Sequence, residues 1–315
     1  MKLVITLATR GRPAQLIDTI NKSMSNWTDP NTIMQVQLDA DDVESIQTLN
    51  QSAPHAWFVG PNGPRVQINL QPREDTIAAK WNRAMALPAD LYLVAADDDP
   101  YVTPGYDTKL LEAASLFEDK IGMVYGHMAN ASFSGLVAPT AKLVQKLGYI
   151  QPEYFPYWFV DHWTDDLARL IDRISVADVR TDQSKVGKTQ EMREPAWWAT
   201  FFDAGYLYRR KLAHAIIDSP EFVESEATKA RIKTQHIRVE FYSRWINDNV
   251  RAQSSQFEWA NRHLSLADER YQRVKAKAVA MVPQLLDGME AQEAQRFLSI
   301  LCPPAEMPAL KRAYA

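Results

Sequence analysis

The sequence predicts an α/β protein built around a layered sheet, and three observations carry this prediction. Short apolar segments alternate with longer segments whose apolar residues recur every three or four positions. Three of the short segments end in polar or charged residues. The chain has 315 residues, of which 46% are hydrophobic and 23% charged, an ordinary globular composition. Strands that alternate with helices favour a sheet covered by helices, with ligands bound beyond the carboxyl ends of its strands.

Composition also narrows the class of protein. The net charge of −4 gives no overall positive field that would attract nucleic acid. The single cysteine, Cys302, excludes an intramolecular disulfide and a cysteine-rich zinc site. No stretch approaches the roughly 20 apolar residues needed to cross a bilayer, and the N-terminal apolar run is too short for a signal peptide. We therefore expect a soluble, cytoplasmic protein without a transmembrane segment.

The first elements are a strand and a helix. Residues 2–8 (KLVITLA) form a continuous apolar run, as expected of a strand that is covered on both faces. The TRGRP segment that follows is predicted to be a loop, and Pro13 suits the first turn of a helix. Apolar residues then recur at helical spacing at Leu16, Ile17 and Ile20.

Three further strands and a helix are predicted before residue 100. In the segment IMQVQLDADD, Met34, Val36 and Leu38 alternate with Gln35 and Gln37, which is typical of a strand, and the segment ends in acids. Ala56–Gly60 (AWFVG) is predicted as the third strand, followed by a PNGP turn. Thr76–Leu87 has apolar residues four apart, as in an amphipathic helix. Residues 91–96 (LYLVAA) form the fourth strand.

The second half of the chain changes character near residue 200. Before this point, a strand over 121–126 and a short helix over 139–146 continue the α/β pattern. After it the pattern is helical, and one helix carries Ile237, Phe241 and Trp245 four residues apart. We therefore predict a domain over 1–200 and a helical C-terminal extension over 201–315 that packs on it.

Asp97, Asp98 and Asp99 directly follow the fourth strand. Adjacent carboxylates repel one another, and a divalent cation offsets that repulsion. Mg²⁺ and Mn²⁺ prefer such hard oxygen ligands and are commonly shared between one or two carboxylates and a substrate phosphate. A second acidic group, at Asp39, Asp41 and Asp42, ends the second strand. The alternative interpretation is a pair of solvated acidic turns.

Four segments, taken together in this order, resemble glycosyltransferases of the GT-A fold, especially the family 2-like enzymes. They are LVITLATRGRPAQL, LDADD, AAKWNRAMA and ADDD, and the resemblance covers roughly residues 1–200. It implies a Rossmann-type sheet of the nucleotide-diphospho-sugar transferase kind, with the C-terminal helices as an extension. It also implies a DXD motif at the end of the fourth strand.

The resemblance implies a role for each matching residue. Asp39 would hydrogen-bond the nucleotide base, Asp97 would approach the ribose or the metal, and Asp99 would bind the metal that bridges the diphosphate. The remaining nucleotide-site residues would be Thr9, Arg10, Arg12, Lys80, Asn82 and Asp98, with Lys80 and Asn82 near the phosphates or the sugar. Solvated loop charges at the arginines and a polar residue on an exposed helix face at Asn82 are the structural alternatives.

The acceptor base is expected in the segment 153–174, which is similar to the family's acceptor-site stretch. Thr164 suits a helix N-cap, which would put Asp165 and Asp166 in the first turn, where acids are favoured for structural reasons alone. Asp161 would then lie in an aromatic-rich loop, where desolvation raises the pKa of a carboxyl. We expect Asp161 to be the general base, with Asp166 in reserve. The alternative for Asp161 is a turn residue that caps nearby backbone.

The sequence departs from the family's pattern at one metal ligand. Enzymes of this type often carry a histidine near a Gly-Lys pair, and Gly187 and Lys188 are present here. Thr181, Asp182 and Gln183 stand where the histidine is expected. Asp182 is the predicted substitute ligand. Otherwise the acids of the DDD run and the diphosphate alone would hold the ion, and a non-catalytic member of the family stays open.

These observations predict a metal-dependent glycosyltransferase. It would use Mn²⁺ or Mg²⁺ and move a sugar from a nucleotide-diphosphate donor, expected to be a UDP-sugar, to a hydroxyl acceptor with inversion. A nucleotidyltransferase with the same acidic site is one alternative, although a glycine-rich phosphate loop is lacking. A non-catalytic sugar-binding or partner-binding module is another. The acceptor class stays open, and a basic segment near residues 229–244 suits a nucleic acid or an anionic membrane less well than a solvated helix face.

Overall fold

The computed structural model describes residues 1–54, 57, 63–126, 136–182 and 193–302, with only the backbone of residues 254–261. The chain divides into two compact units. The first is Met1–Gln151 with Arg173–Lys188, and the second is Pro152–Asp172 with Thr189–Ala315. The functional division at residue 200 stays a prediction. No helix in the described part of the chain combines the length and apolar content needed to cross a membrane.

The core of the first unit is a parallel sheet. Within the described residues it has four strands in the order β3-β2-β1-β4: β1 (Leu3–Ala8), β2 (Ile33–Asp39), β3 (Val66–Gln71) and β4 (Leu91–Ala96). All six residues of β1 are buried, as its continuous apolar run predicts. Ala8, at the end of β1, pairs with Gln37 of β2 and with Ala96 of β4. The carboxyl ends of these strands therefore meet at one edge of the sheet.

Three shorter strands extend this unit: β5 (Met123–Tyr125), β6 (Val137–Pro139) and β7 (Ile174–Val176). β5 lies between the other two, antiparallel to β6 and parallel to β7. An antiparallel bridge from Leu91 to Thr140 links the start of β4 to the end of β6. The prediction of an α/β sheet with mainly parallel strands is confirmed.

Five helices of the first unit fall in the described residues: α1 (Pro13–Asn26), α2 (Val43–Ser52), α3 (Ile77–Asn82), α4 (Tyr106–Ser115) and α5 (Ala141–Leu147). α1 begins at Pro13, as predicted. The hydroxyl of Thr76 caps α3 by accepting the Ala79 N–H at 3.1 Å, and a short 3-10 turn at Arg83–Ala86 continues it. The strand predicted at Ala56–Gly60 lies outside the described residues except for Trp57, and β3 was not predicted.

The second unit is helical in its described residues. Its helices are α6 (Val160–Leu170), α7 (Pro195–Ala204), α8 (Tyr206–Ile217), α9 (Glu226–Thr234), α10 (His236–Asn261), α11 (Glu269–Leu286) and α12 (Ala291–Leu301). Aromatic side chains dominate its core, among them Phe155, Phe159, Trp163, Trp198 and Phe201, all fully or almost fully buried. The helical pattern predicted after residue 200 is confirmed.

The face that α10 buries differs from the one that its apolar spacing indicates. Ile237, Phe241 and Trp245 are 68%, 76% and 46% exposed, whereas Val239 and Ile246 are buried. Helical spacing alone shows that apolar residues share a face, and the packing of neighbouring elements decides which face is covered.

Candidate functional site

The loop after β1 is fixed to the start of α2. Gly11 has a φ of +65°, a left-handed conformation that favours glycine. Its N–H donates to Asp42 Oδ2 at 2.8 Å, while Asp42 Oδ1 accepts the Ser45 N–H at 3.3 Å and caps α2. Of the three acids that end the second strand, Asp42 therefore has a structural task.

Asp39, the last residue of β2, is fully buried. Its Oδ2 lies 2.9 Å from Arg10 Nη1 and 2.7 Å from Lys80 Nζ. Its Oδ1 is also buried and has no hydrogen-bond partner among the residues that the structure describes. Because an unpaired buried acceptor is costly, this oxygen is suited to accept a hydrogen bond from a bound molecule.

Two cations of different burial hold this carboxylate. Lys80, on α3, is buried and also donates to the Thr9 carbonyl at 3.1 Å. Burial lowers the pKa of Lys80, and its hydrogen bond to Asp39 opposes that effect. Arg10 is one-third exposed and forms a two-pronged contact with Asp41, at 2.6 and 3.0 Å. That pairing raises the pKa of Arg10 and lowers the pKa of Asp41.

The acids after β4 meet the same loop. Asp97 is fully buried, accepts the Thr9 hydroxyl at 2.7 Å and lies 2.5 Å from Arg12 Nη2. Burial raises the pKa of Asp97 to about 6, although the Thr9 hydrogen bond and the charge of Arg12 act against it. Asp98 lies 3.5 Å from Arg12 Nη1. The Asp97 carbonyl accepts the Thr19 hydroxyl of α1 at 2.7 Å, which anchors the acidic tip, Asp97–Asp99, to that helix.

Asp182 is brought beside this tip by backbone pairing. Its N–H donates to the Pro100 carbonyl at 2.9 Å, and Tyr101 and Thr181 form an antiparallel bridge. Asp182, which stands where the histidine is expected, is thus hydrogen-bonded to Pro100, the residue that directly follows Asp99. Its ligand role stays a prediction.

The acidic tip fits a metal ion that takes some of its ligands from a bound molecule better than one enclosed by protein ligands alone. In the described residues, no three side chains of the His, Cys, Asp and Glu types converge on a common metal position. Carboxylates such as Asp97 and Asp99 nevertheless supply the hard oxygen atoms that Mg²⁺ and Mn²⁺ prefer. The donor set therefore fits an ion shared with a substrate diphosphate, rather than one enclosed by the protein alone.

Asn82 has a structural task in this unit. Its side-chain amide donates to the Gln151 carbonyl, and its oxygen accepts the N–H groups of Ile150 and Gln151, each at 2.9 Å. These bonds tie the end of α3 to the chain beyond α5. They account for Asn82 without a ligand, and its predicted contact with the phosphates or the sugar is untested.

The predicted start of the helix after residue 160 is wrong. Phe159, with a left-handed φ of 73°, precedes α6, which begins at Val160. Thr164 is inside the helix, where its hydroxyl donates to the Val160 carbonyl at 3.1 Å. Threonine suits both positions, because its hydroxyl bonds backbone either as a cap or within a helix. Asp161 consequently occupies the first turn, and Asp165 and Asp166 lie further along the helix.

The pKa shift expected for Asp161 is also wrong in direction. Its side chain is 41% exposed and lies 3.1 Å from His162 Nδ1. Burial acts to raise the pKa of Asp161, but the charge and hydrogen bonds of His162 outweigh it, so the pKa is lowered. Burial acts to lower the pKa of His162, and its pairing with Asp161 leaves that pKa raised. Asp161 is therefore an ionised carboxylate at neutral pH.

Asp166 lies inside the second unit. Its Oδ2 accepts the Ser243 hydroxyl at 2.7 Å and lies 2.9 Å from Arg209 Nη2. The guanidinium of Arg209 stacks over the rings of Phe202 and Trp163, at 4.2 and 4.5 Å. Burial raises the pKa of Asp166 to about 6, against the charge of Arg209. Because the side chain is only 2% exposed, this geometry favours a structural ion pair over the reserve base predicted from sequence.

Sequence reasoning did not identify Arg209. The available signal was its spacing, because Arg209 lies four and seven residues before Ala213 and Ile216 on the buried face of α8. An arginine at a core position of a helix requires a buried partner.

Comparison with known proteins rests on structure. No family model and no curated protein matches the sequence. A crystal structure of Staphylococcus aureus TarS 1-349 in complex with UDP-GlcNAc is similar, with 12% identity, a TM-score of 0.50, and coverage of 100% of this chain and 89% of that one. A structure of GalNAc-T7 with UDP, GalNAc and Mn²⁺ has 8% identity, a TM-score of 0.45, and coverage of 81% and 58%. The parallel sheet, its acidic edge and the likeness over the full chain length show that this protein has the GT-A glycosyltransferase fold.

Proposed function

We propose that this chain is a glycosyltransferase that takes its sugar from a nucleotide diphosphate, with a UDP-sugar as donor. The observation that carries the proposal is at the edge of the parallel sheet, where Asp39 has a buried oxygen without a partner among the described residues. Thr9, in the loop after β1, contacts both acidic segments, because its hydroxyl bonds Asp97 and its carbonyl accepts from Lys80, the partner of Asp39. The GT-A fold supports the proposal, and a protein of similar structure, TarS, was crystallised with UDP-GlcNAc.

Each strand end would bind one part of the donor. The unpartnered Asp39 Oδ1 would accept an N–H of the base, and Asp97 would face the ribose, with Thr9 and Arg12 holding its carboxylate in place. Asp99 would hold Mn²⁺ or Mg²⁺ together with the diphosphate of the donor, and either Asp97 or Asp182 would supply a second protein ligand. Such an ion, when bound, neutralises the charge that develops on a departing diphosphate.

Asp161 is the proposed general base for the acceptor hydroxyl. Pairing with His162 lowers its pKa, so the carboxylate is ionised and ready to accept a proton at neutral pH. Its partial exposure leaves it accessible to an acceptor, whereas Asp166 is enclosed. A single direct displacement, with inversion at the anomeric carbon, is the proposed course of the reaction.

The test is donor turnover in the purified chain. UDP-, GDP- and dTDP-sugars are supplied with Mn²⁺ or Mg²⁺, and release of the nucleoside diphosphate is measured with and without chelator. We expect turnover of a UDP-sugar that requires the divalent ion and falls at least about 100-fold in Asp99→Ala, because the diphosphate loses its charge partner. Asp161→Asn is expected to lose transfer while keeping donor affinity.

Asp178→Ala is the matched control, because Asp178 is an acid of the same unit with a 73% exposed side chain. It should behave as wild type. The proposal fails if no nucleotide-sugar binds and Asp99→Ala equals wild type. Pyrophosphate release from a nucleoside triphosphate and a sugar phosphate would instead support nucleotidyl transfer. Donor binding without turnover under any condition would support a binding module.

A further inference from the structure

We infer that Lys80 is a positioning residue for base recognition: it holds the Asp39 carboxylate so that Oδ1 accepts an N–H from the nucleotide base. This inference rests on the proposed function. It differs from the sequence-based expectation, in which Lys80 lies near the phosphates or the sugar. The observation behind it is that both cations at Asp39 lie on the same carboxylate oxygen.

The contacts of Lys80 leave little of it for a ligand. Its ammonium group has three donors, and two acceptors, Asp39 Oδ2 and the Thr9 carbonyl, already lie at 2.7 and 3.1 Å. Its side chain is only 9% exposed. Lys80 thus connects α3 to the ends of β1 and β2, and its position fixes the direction in which the Asp39 carboxylate points.

Of the two ion pairs of Asp39, the one with Arg10 is the weaker. Its side chain is 33% exposed, and its guanidinium is shared with Asp41, which is itself 52% exposed. Solvent screens such an exposed pair, whereas a buried charge pair is screened much less. Lys80, whose side chain is only 9% exposed, is therefore the partner that contributes more to holding the Asp39 carboxylate in place.

An ionised carboxylate only accepts hydrogen bonds, and this limits the bases that suit Oδ1. Uracil and thymine present a ring N3–H, and guanine presents N1–H. Cytosine and adenine present a lone pair at the corresponding ring nitrogen, which a carboxylate repels. A site built around a hydrogen bond discriminates strongly against a molecule that cannot make it. Lys80 would therefore contribute to a preference for uridine over cytidine nucleotides without contacting either.

The test compares binding of uridine, UDP and CDP to wild type, Lys80→Met and Lys80→Arg, by calorimetry and by NMR titration for the weak nucleoside. If Lys80 acts through Asp39, Lys80→Met weakens uridine and UDP by a similar factor, at least about tenfold, and narrows the UDP-to-CDP ratio. Lys80→Arg should restore part of the affinity.

Two further variants keep the result interpretable. Lys142→Met removes an exposed lysine of the same unit and should leave all three affinities unchanged. In an Asp39→Asn background, Lys80→Met should add little further loss, because residues acting through one contact are not additive.

Two results would overturn the inference alone, and a third would overturn it together with the proposed function. A loss of UDP affinity with uridine affinity intact, persisting in the Asp39→Asn background, would assign Lys80 to the phosphates and leave the proposed function standing. Unchanged affinities in Lys80→Met would remove any role for Lys80 in binding. If wild type binds neither uridine nor UDP, the proposed function fails and the inference fails with it.

Discussion

Asp39 of the first unit and Asp166 of the second are both buried carboxylates beside a buried cation, yet their surroundings differ. Asp39 ends a strand, and one of its oxygens has no partner within the described residues. Asp166 lies within α6, bound by Ser243 and by Arg209, whose guanidinium is stacked on aromatic rings. Burial of charge alone therefore does not mark a ligand site. The unused oxygen at a sheet edge is what separates Asp39 from Asp166.

The two regions also differ in how they reach the surface. Arg10 and Arg12, which contact Asp39 and Asp97, are about one-third exposed, and Asp41 is half-exposed. Arg209 is fully buried. A cluster that grades from buried to exposed can admit a ligand, whereas a fully enclosed pair can only stabilise or destabilise the fold.

Arg209→Met is expected to have the largest effect on stability. It leaves the Asp166 carboxylate buried without its cation, and breaking a buried pair in this way costs about 3–5 kcal/mol of unfolding free energy. Urea denaturation followed by fluorescence of the nine tryptophans would measure it. Asp166→Asn combined with Arg209→Met should recover part of the loss, since the uncompensated charge is gone. A single-variant cost below about 1 kcal/mol would contradict the view that this pair is structural.

The sequence predicted where the acids lie at the edge of the sheet, but not which role each of them has. Apolar runs that stop at acids predict where parallel strands end, and the polar ends of β1, β2 and β4 do meet. Spacing could not tell that Asp42 caps α2, that Asp41 pairs with Arg10 at the surface, and that Asp39 is fully buried with both Arg10 and Lys80 on one of its oxygens. These roles depend on contacts between residues that are distant in sequence, such as Gly11 with Asp42 and Asp39 with Lys80, which is 41 positions further along the chain.

The second unit shows a different limit of sequence reasoning. Thr164 satisfies the pattern of an N-cap, yet the observed N-cap is Phe159, five residues earlier, in a left-handed conformation. Local preferences did not decide the boundary, because the aromatic core that encloses Phe159 and Trp163 favours the longer helix. The order of the acids followed from that boundary, so the physical argument for Asp161 changed while the residue remained the candidate.

Lowering the pH should stabilise the fold through Asp166, and Asp166→Asn should remove that part of the pH dependence. Burial raises the pKa of Asp166 to about 6, above the value of about 3.9 in an unfolded chain. The folded state therefore binds the proton more tightly, so this contribution is fully present below about pH 4 and is lost as the pH rises through about 6. Unfolding free energies from urea titrations between about pH 5 and about pH 7 would measure the slope.

Asp97 offers the matching measurement in the first unit, because burial raises its pKa to about 6 as well. In the presence of chelator, Asp97→Asn should reduce the slope of the unfolding free energy against pH over the same range. The effect should be independent of Asp166→Asn, since the two acids belong to different compact units. If neither substitution changes the slope of the unfolding free energy against pH, the two carboxyls are ionised throughout this pH range and do not contribute to the pH dependence of stability.

Asp41→Ala is expected to have the smallest effect on stability and on UDP affinity. It separates the contribution of the exposed arginine from that of the buried lysine, because Asp41 and Asp39 share Arg10. Asp41 is 52% exposed, so losing its pair with Arg10 should cost less than about 1 kcal/mol of unfolding free energy. UDP affinity should change less than about threefold, because Lys80 still holds Asp39. Calorimetry alongside Asp39→Ala, which should abolish base recognition, measures the contrast. Equal losses in the two variants would mean that the exposed arginine, and not the buried lysine, orients the Asp39 carboxylate.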